Sequence, residues 1–123
     1  MKLKLKKLPY DLTVCKLGSV DDIDLSGDFF FVGRTEREIS LVCPTAATPH
    51  GTVAREDGWK AFIVDGVLDF SLVGILSDIS AALSDCGISI FAVSTFDTDY
   101  ILVKEENFTK AATILSLRGY TVE

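Results

Sequence analysis

The order of strand and helix patterns in the second half of the chain is the feature that most constrains its fold. Residues 59–66, WKAFIVDG, are rich in aromatic and branched side chains and end at Asp-Gly, as a strand does. Residues 72–86 then place apolar side chains at steps of three and four, which predicts a helix with one buried face. Ser71 can cap the start of this helix, and Gly87 stands where a left-handed residue ends one.

Two strands, a second helix and a last short strand follow. ISIFAVST and DYILVKE are predicted strands around a link at residues 96–98. ENFTKAATILSLRG predicts a helix that Gly119 closes, and YTVE predicts a strand. The order β-α-β-β-α-β predicts an α+β protein: a ferredoxin-like βαββαβ two-layer sandwich with both helices on one face of the sheet. Because WKAFIV is apolar on both sides, the other face must meet another sheet or another subunit.

The first half of the chain repeats part of this pattern. At a shift of 61 residues, FFVGRTEREISLV (30–42) aligns with FAVSTFDTDYILV (91–103), and LTVCKLG (12–18) takes the place of WKAFIVDG. The segments between these strands are too short, or too rich in Pro, Gly and Thr, for full helices. We therefore predict two domains, a degenerate strand-heavy copy over residues 1–57 and a complete copy over residues 58–123. The alternating Leu and Lys at the start predict a further strand with one buried face.

Composition and charge exclude several classes of function. A net charge of −6, with no basic stripe beyond the N-terminus, argues against a nucleic-acid partner. No apolar run approaches the ~20 residues of a membrane span, and the basic start lacks the apolar stretch of a signal peptide. Cys15, Cys43 and Cys86 are widely spaced without a metal-binding pattern. We expect three small, buried and reduced thiols, no metal and a cytoplasmic location.

The sequence also offers little to catalysis. His50 is the only histidine, and it lies in a Pro-His-Gly loop with no serine or cysteine motif around it. No nucleophile elbow and no glycine-rich phosphate loop is present. We predict no enzymatic activity and no cofactor, and a small enzyme that uses His50 is the least favoured alternative.

Two segments carry the residues of a candidate binding site. DFSLVG (69–74) leads into the first helix, whose free backbone N–H groups attract a carboxylate. Gly74 would let a ligand approach closely, or it would instead relieve a close contact between helix and strand. In the link STFDTDY, Asp97 and Asp99 suit a cation and Phe96 an apolar wall, although such residues also suit a solvated turn. Brought together, the two segments complement a free amino acid, which carries one charge of each sign.

Residues 59–122 resemble the ACT domain, a regulatory module that senses small molecules. The resemblance is carried by Gly74-Ile75-Leu76, by residues 87–91 (GISIF) and by residues 94–103 (STFDTDYILV). The chain is most similar to stand-alone bacterial proteins with two such domains in tandem and to the arginine-sensing proteins of the animal TOR pathway. The resemblance is looser over residues 1–57. It implies tandem ACT domains with a degenerate N-terminal copy.

The resemblance implies regulation by a ligand without catalysis. ACT domains pair side by side and hold an amino acid between the helix start of one domain and strand residues of another. Carried over residue by residue, the ligand contacts fall at Phe70, Ser71, Val73, Gly74, Thr95, Phe96, Thr98 and Asp99. The acid that the arginine sensors use in the first helix turn has candidates only in Asp69 and Asp78, so arginine itself stays open as the ligand.

We accordingly predict a sensor that binds an amino acid. Its predicted ligand contacts are the positions that the resemblance implies, together with Asp69 and Asp97. The arginine sensors carry four such domains in one chain and this chain has two, so a homodimer would be needed. The regulated partner would be an enzyme or a transporter. The alternative is a ligand-free protein–protein interaction module of the same fold.

Overall fold

The computed structural model of the chain describes residues 3–65 and 74–123, which contain eight strands and two helices. The elements are β1 (Lys4–Lys7), β2 (Leu12–Leu17), β3 (Phe31–Arg34), β4 (Ile39–Pro44), β5 (Thr52–Asp65), α1 (Ile75–Ser84), β6 (Phe91–Ser94), β7 (Asp99–Lys104), α2 (Phe108–Leu117) and β8 (Thr121–Val122). They confirm the predicted α+β class.

The elements fall into two compact units. The N-terminal unit is Tyr10–Trp59, and the C-terminal unit combines Met1–Pro9 with Lys60–Glu123. Strand β5 contributes residues 52–59 to the first unit and residues 60–65 to the second. The division into ACT-like domains 1–57 and 58–123 stays a prediction. The compact units differ from it in that the first nine residues group with the C-terminal part of the chain.

The sheet of the C-terminal unit contains one strand more than the predicted plan. Its strand order is β6-β7-β5-β1-β8, so that β1 lies between the first and the last strand of the β-α-β-β-α-β pattern. Leu5 of β1 pairs with Val64 in antiparallel direction and with Val122 in parallel direction. Leu5 is fully buried whereas the neighbouring lysines are exposed, which confirms the predicted strand with one buried face.

Both helices pack on one face of this sheet. The core contains Leu5, Phe62, Val64, Ile79, Ala82, Leu83, Ile88, Ile101, Val103, Ala111, Leu115 and Tyr120. Gly87 and Gly119 follow the two helices with φ of 75° and 103°, the left-handed conformation that ends a helix cheaply only at glycine. Both predicted helix ends are confirmed.

The start of the first helix differs from the prediction. Helix α1 begins at Ile75, and Gly74 is its N-cap residue. The predicted cap Ser71 and the first predicted apolar position, Leu72, lie outside the described residues. Six of the ten residues from Ile75 to Ser84 are apolar, and the buried ones recur at steps of three and one along a single face.

The N-terminal unit is built from strands. Its order is β3-β4-β2-β5, and each described pair is antiparallel. Where the C-terminal unit has helices, this unit has 3₁₀ turns at Val20–Asp22 and Thr45–Ala47. The short segments therefore leave room for no full helix, as the sequence predicts. A small core of Cys15, Leu17, Leu41 and Cys43 fills one face of the sheet. These two cysteines are buried as predicted, but the prediction is wrong for Cys86, which is exposed in the turn after α1.

The hairpins of the two units have the same register. Phe31 pairs with Val42 in the first unit, and Phe91 pairs with Leu102 in the second. The equivalent residues are therefore 60 positions apart, and the predicted shift of 61 is wrong by one. A run of three phenylalanines, of which the last begins β3, leads into the first hairpin, so the sequence alone allows either alignment. The difference matters because a slip of one residue moves every side chain to the opposite face of the sheet.

Candidate ligand-binding site

The loop between β6 and β7 is a tight, closed turn. Ser94 and Asp99 form the last pair of the ladder. Beyond it, the Thr95 N–H donates to the Thr98 carbonyl at 2.8 Å, and the Thr95 hydroxyl donates to the same oxygen at 3.1 Å. The loop is therefore Thr95–Thr98, one residue longer than the predicted link at 96–98.

Thr98 fastens this loop to strand β5. Its side chain is buried, and its hydroxyl donates to the Val64 carbonyl at 2.6 Å. Val64 lies next to the end of β5, just before the link that the sequence assigns to the ligand carboxylate. The described structure thus brings the hairpin to the strand end that leads into this link. The predicted contact residues Asp69, Phe70, Ser71 and Val73 lie outside the described residues.

The acids and the aromatic ring of the hairpin differ in exposure. Asp97 is exposed and Asp99 is half-buried at the foot of the loop. Phe96 is 80 % exposed, which is unusual for so large an apolar side chain. The carboxylates can therefore meet a soluble cation, and the role of Phe96 as an apolar wall stays a prediction.

Gly74 is required by its backbone conformation. Its φ is 86°, in the left-handed region, and its carbonyl accepts the Asp78 N–H at 2.8 Å. A Cβ built on Gly74 would have no heavy atom of the described structure within 4 Å beyond its chain neighbours. This glycine therefore does not relieve a close contact with described atoms, and the space beside it at the start of α1 is open among them.

Asp78 is part of a structural network that the sequence did not reveal. Its carboxylate accepts the Tyr120 hydroxyl at 2.6 Å and lies 3.4 Å from the Arg118 guanidinium. Burial, together with the hydrogen bond and the charge of Asp78, raises the pKa of Tyr120. Asp78 therefore ties α1 to the segment after α2. Of the two acids considered for the first helix turn, it is the one with a described structural role.

Removal of the Thr98 hydroxyl tests the link between the hairpin and β5. Thr98→Val keeps the shape of the side chain but leaves the Val64 carbonyl without this donor, which costs about 1–2 kcal/mol of stability. Thr98→Ser retains the hydroxyl and should preserve most of the stability. Urea denaturation of the three proteins measures the difference, and equal midpoints for valine and threonine would contradict the assigned role.

The ACT domain family matches residues 54–116, just over half of the chain. The chain belongs to the ACT domain family. ACT domains are generally regulatory modules that bind amino acids. No match is found among curated proteins.

Solved structures similar to this ACT-domain protein cover nearly its full length. A protein of Agrobacterium tumefaciens is 32 % identical with a TM-score of 0.88, and the match covers 100 % of this chain and 93 % of that one. A Vibrio cholerae protein of unknown function, described as a possible transport protein, is 19 % identical with a TM-score of 0.72 over 91 % and 86 % of the two chains. An aspartokinase with α and β subunits is 14 % identical with a TM-score of 0.66 over 94 % and 97 %. The last two matches show a shared fold.

Within the described residues there is neither a membrane-spanning helix nor a metal cluster. Neither α1 nor α2 is long and apolar enough to cross a membrane, and residues 3–65 and 74–123 contain no other α-helix. Across the same residues, no group of three or more His, Cys, Asp or Glu side chains is arranged to hold a metal ion.

Proposed function

We propose that this ACT-domain protein binds a free amino acid through its C-terminal unit and regulates another protein in response. The observation that carries the proposal is the hydrogen bond from Thr98 to Val64, which holds the acidic hairpin beside the strand that leads to α1. The site has no proposed catalytic role, because a zwitterion held by opposite charges needs no bond to be made or broken.

The two charged groups of an amino acid have separate partners in this proposal. The first N–H groups of α1 have no acceptor within the helix and attract the ligand carboxylate, and the open space beside Gly74 admits it. Asp97 and Asp99 neutralise the ligand ammonium group. Thr95 and Phe96 on the hairpin, with Asp69, Phe70, Ser71 and Val73 in the link, complete the proposed contacts, and Thr98 holds the hairpin in place.

We further infer that the chain contains two ACT-like domains, residues 1–57 and 58–123. The strand order β3-β4-β2-β5 of the N-terminal unit follows the same path as β6-β7-β5 and the last strand of the C-terminal unit, apart from the inserted β1. The common register of the two hairpins supports the same inference. Two copies of the chain would then supply four such domains, as in the arginine sensors, which favours a homodimer. The cytoplasm is the proposed location.

The class of the regulated partner is also part of the proposal. One structural neighbour is an aspartokinase, and another is described as a possible transport protein. Both are compatible with a module that passes information on ligand binding to an enzyme or a transporter.

Calorimetric titration with each of the twenty amino acids tests the proposed function. We expect at least one to bind with a dissociation constant below 1 mM, of the order of many metabolite sites. Asp99→Asn should weaken this binding by about tenfold or more, because it removes the charge that the ligand ammonium group meets. Asp85→Asn changes an exposed acid at the other end of α1 and should have no effect. Failure of all twenty amino acids to bind would refute the ligand site.

The second candidate function is that of an interaction module without a ligand. The 80 % exposure of Phe96 at the tip of the hairpin favours it, since an exposed aromatic side chain is a common anchor at protein interfaces. A stoichiometric partner that co-purifies with the protein, and that is lost in Phe96→Ala but kept in Asp99→Asn, would support this candidate over the first.

A further inference from the structure

The N-terminal unit contains a cavity of about 190 Å³ that the proposed amino-acid site does not use. It lies between strand β4 and the connection that precedes β3. In the C-terminal unit the corresponding connection is a ten-residue helix, whereas here it holds only the 3₁₀ turn Val20–Asp22. The short turn covers less of the sheet, and the cavity occupies the space that is left.

Most of the cavity wall is apolar and aromatic. The buried side chains of Leu41 and Cys43 contribute the sheet side. The rings of Tyr10 and Phe29 stack at a centroid distance of 4.6 Å and an angle of 15°, and Phe30 adds a third ring to the lining. A wall of this kind favours a flat apolar group over a polar one.

The remaining lining residues give the cavity a negative rim. Asp24 and Asp28 are exposed and both line it. Asp24 accepts the Ser26 N–H at 3.0 Å and the Ser26 hydroxyl at 2.6 Å, bonds that lower its pKa and keep it charged. The described residues that line the cavity include no Lys, Arg or His to offset these charges.

We propose that this cavity is a second binding site, for a small aromatic amine with one ring and a short alkylammonium arm. An apolar cavity of roughly 150 Å³ holds benzene, so 190 Å³ admits a ring and part of a side chain. The ammonium group would meet the two carboxylates at the rim, and aromatic faces also attract a cation. A free amino acid would bring its own carboxylate to the negative rim and bind less well. This site is in the other unit from Asp97 and Asp99 and does not depend on the proposed function.

Titration of the isotope-labelled full chain with 2-phenylethylamine, followed by NMR, tests the site. We expect a dissociation constant of about 1 mM or tighter for this nine-atom probe. Shift changes should concentrate at Tyr10 and residues 23–30 and 41–49. 2-Phenylethanol, the neutral counterpart, should bind about three- to fivefold more weakly, and 3-phenylpropionate, the anionic one, more weakly still. Equal binding of the amine and the acid would overturn the proposal, as would the failure of the amine to bind.

Substitutions inside the cavity and at its acidic rim test the contributions of the two to binding separately. Ala47→Phe places a ring in the cavity and should abolish binding of the amine. Gly27→Leu is a second filling variant in case the first disturbs folding, since a Cβ on Gly27 meets Phe30 at an ordinary distance of 3.8 Å. Asp28→Asn should weaken binding of the amine about three- to fivefold. Asp22→Asn, a matched exposed acid in the same connection outside the lining, should have no effect.

The proposed amino-acid site and the proposed amine site can be refuted independently of each other. Asp99→Asn should leave binding of the aromatic amine unchanged, and loss of amine binding in that variant would overturn the assignment to the N-terminal unit. Unchanged binding in a folded Ala47→Phe or Gly27→Leu protein would overturn the cavity itself.

Discussion

Replacement of Phe62 by alanine is expected to lower the free energy of unfolding of the C-terminal unit by about 3–5 kcal/mol. Phe62 lies on β5 with its side chain fully buried, and its ring centroid is 4.6 Å from that of Phe108 on α2. Alanine would lose the burial of the ring and leave a cavity between sheet and helix, which the packed neighbours fill only in part. Since natural domains have about 5–15 kcal/mol of stability, the loss is a large fraction of the total.

An exposed residue on the same strand provides the control for Phe62→Ala. Val53 is 64 % exposed, so Val53→Ala should change stability by only about 0.5 kcal/mol or less. Urea denaturation followed by circular dichroism measures both variants. A loss of less than about 1 kcal/mol for Phe62→Ala would show that this ring does not support the packing of α2 as described.

The second large effect concerns the bond from the Tyr120 hydroxyl to Asp78. Asp78→Ala should cost about 1.5–3 kcal/mol, because it removes a hydrogen bond to a charged group and leaves the hydroxyl of a buried tyrosine without this acceptor. Tyr120→Phe removes the hydroxyl as well and should cost less, since no polar atom is then left on the tyrosine side. No loss for Tyr120→Phe beside a clear loss for Asp78→Ala would argue that Asp78 acts through Arg118 instead.

The same bond makes stability depend on alkaline pH. Burial and Asp78 raise the pKa of Tyr120 above its ordinary value of 10.0. The phenol of the unfolded chain therefore releases its proton at a lower pH than that of the folded chain. The stability that the raised pKa contributes is complete below pH 10 and is lost progressively above it. The difference in unfolding free energy between the wild type and Tyr120→Phe should shrink as the pH rises from 9 to about 11.5, and a constant difference would contradict the raised pKa.

Local patterns in the sequence predicted the elements of the C-terminal unit well. The predicted second helix is confirmed as α2, which buries one stripe, with Ala111 and Leu115 fully buried and Phe108 and Ala112 partly buried. Such a stripe can be read directly because a helix relates residues only three or four positions apart. The glycine that ends each helix is equally local, since the left-handed conformation depends on that residue alone.

Features that depend on distant pairing could not be predicted. The Leu and Lys alternation identified β1 as a strand, but nothing in four residues specifies that it pairs with both β5 and β8. Asp78 and Tyr120 are 42 positions apart, and neither residue stands in a pattern that points to the other. The one-residue error in the offset between the hairpins has the same origin, because register is set by packing across the sheet.

The candidate site stays a prediction, and the structure describes only the position of its hairpin. The sequence indicated that the hairpin and the link before α1 could lie at one end of the sheet, and the bond from Thr98 to Val64 places the hairpin beside the strand that enters this link. The sequence could not indicate that the Thr98 hydroxyl forms this hydrogen bond, because its partner is a backbone carbonyl, which every residue has. The roles of Asp69, Phe70, Ser71 and Val73 stay predictions.

The position of β1 between β5 and β8 has a consequence for synthesis on the ribosome. Leu5 is translated long before Val122, which is one of its two neighbours in the sheet. The strand pairs of the N-terminal unit can form while translation continues, whereas the pair of Leu5 with Val122 must wait until Val122 has left the ribosome. Contacts this far apart in sequence form slowly, so the pairing of β1 with β8 follows the pairing of strands within the N-terminal unit.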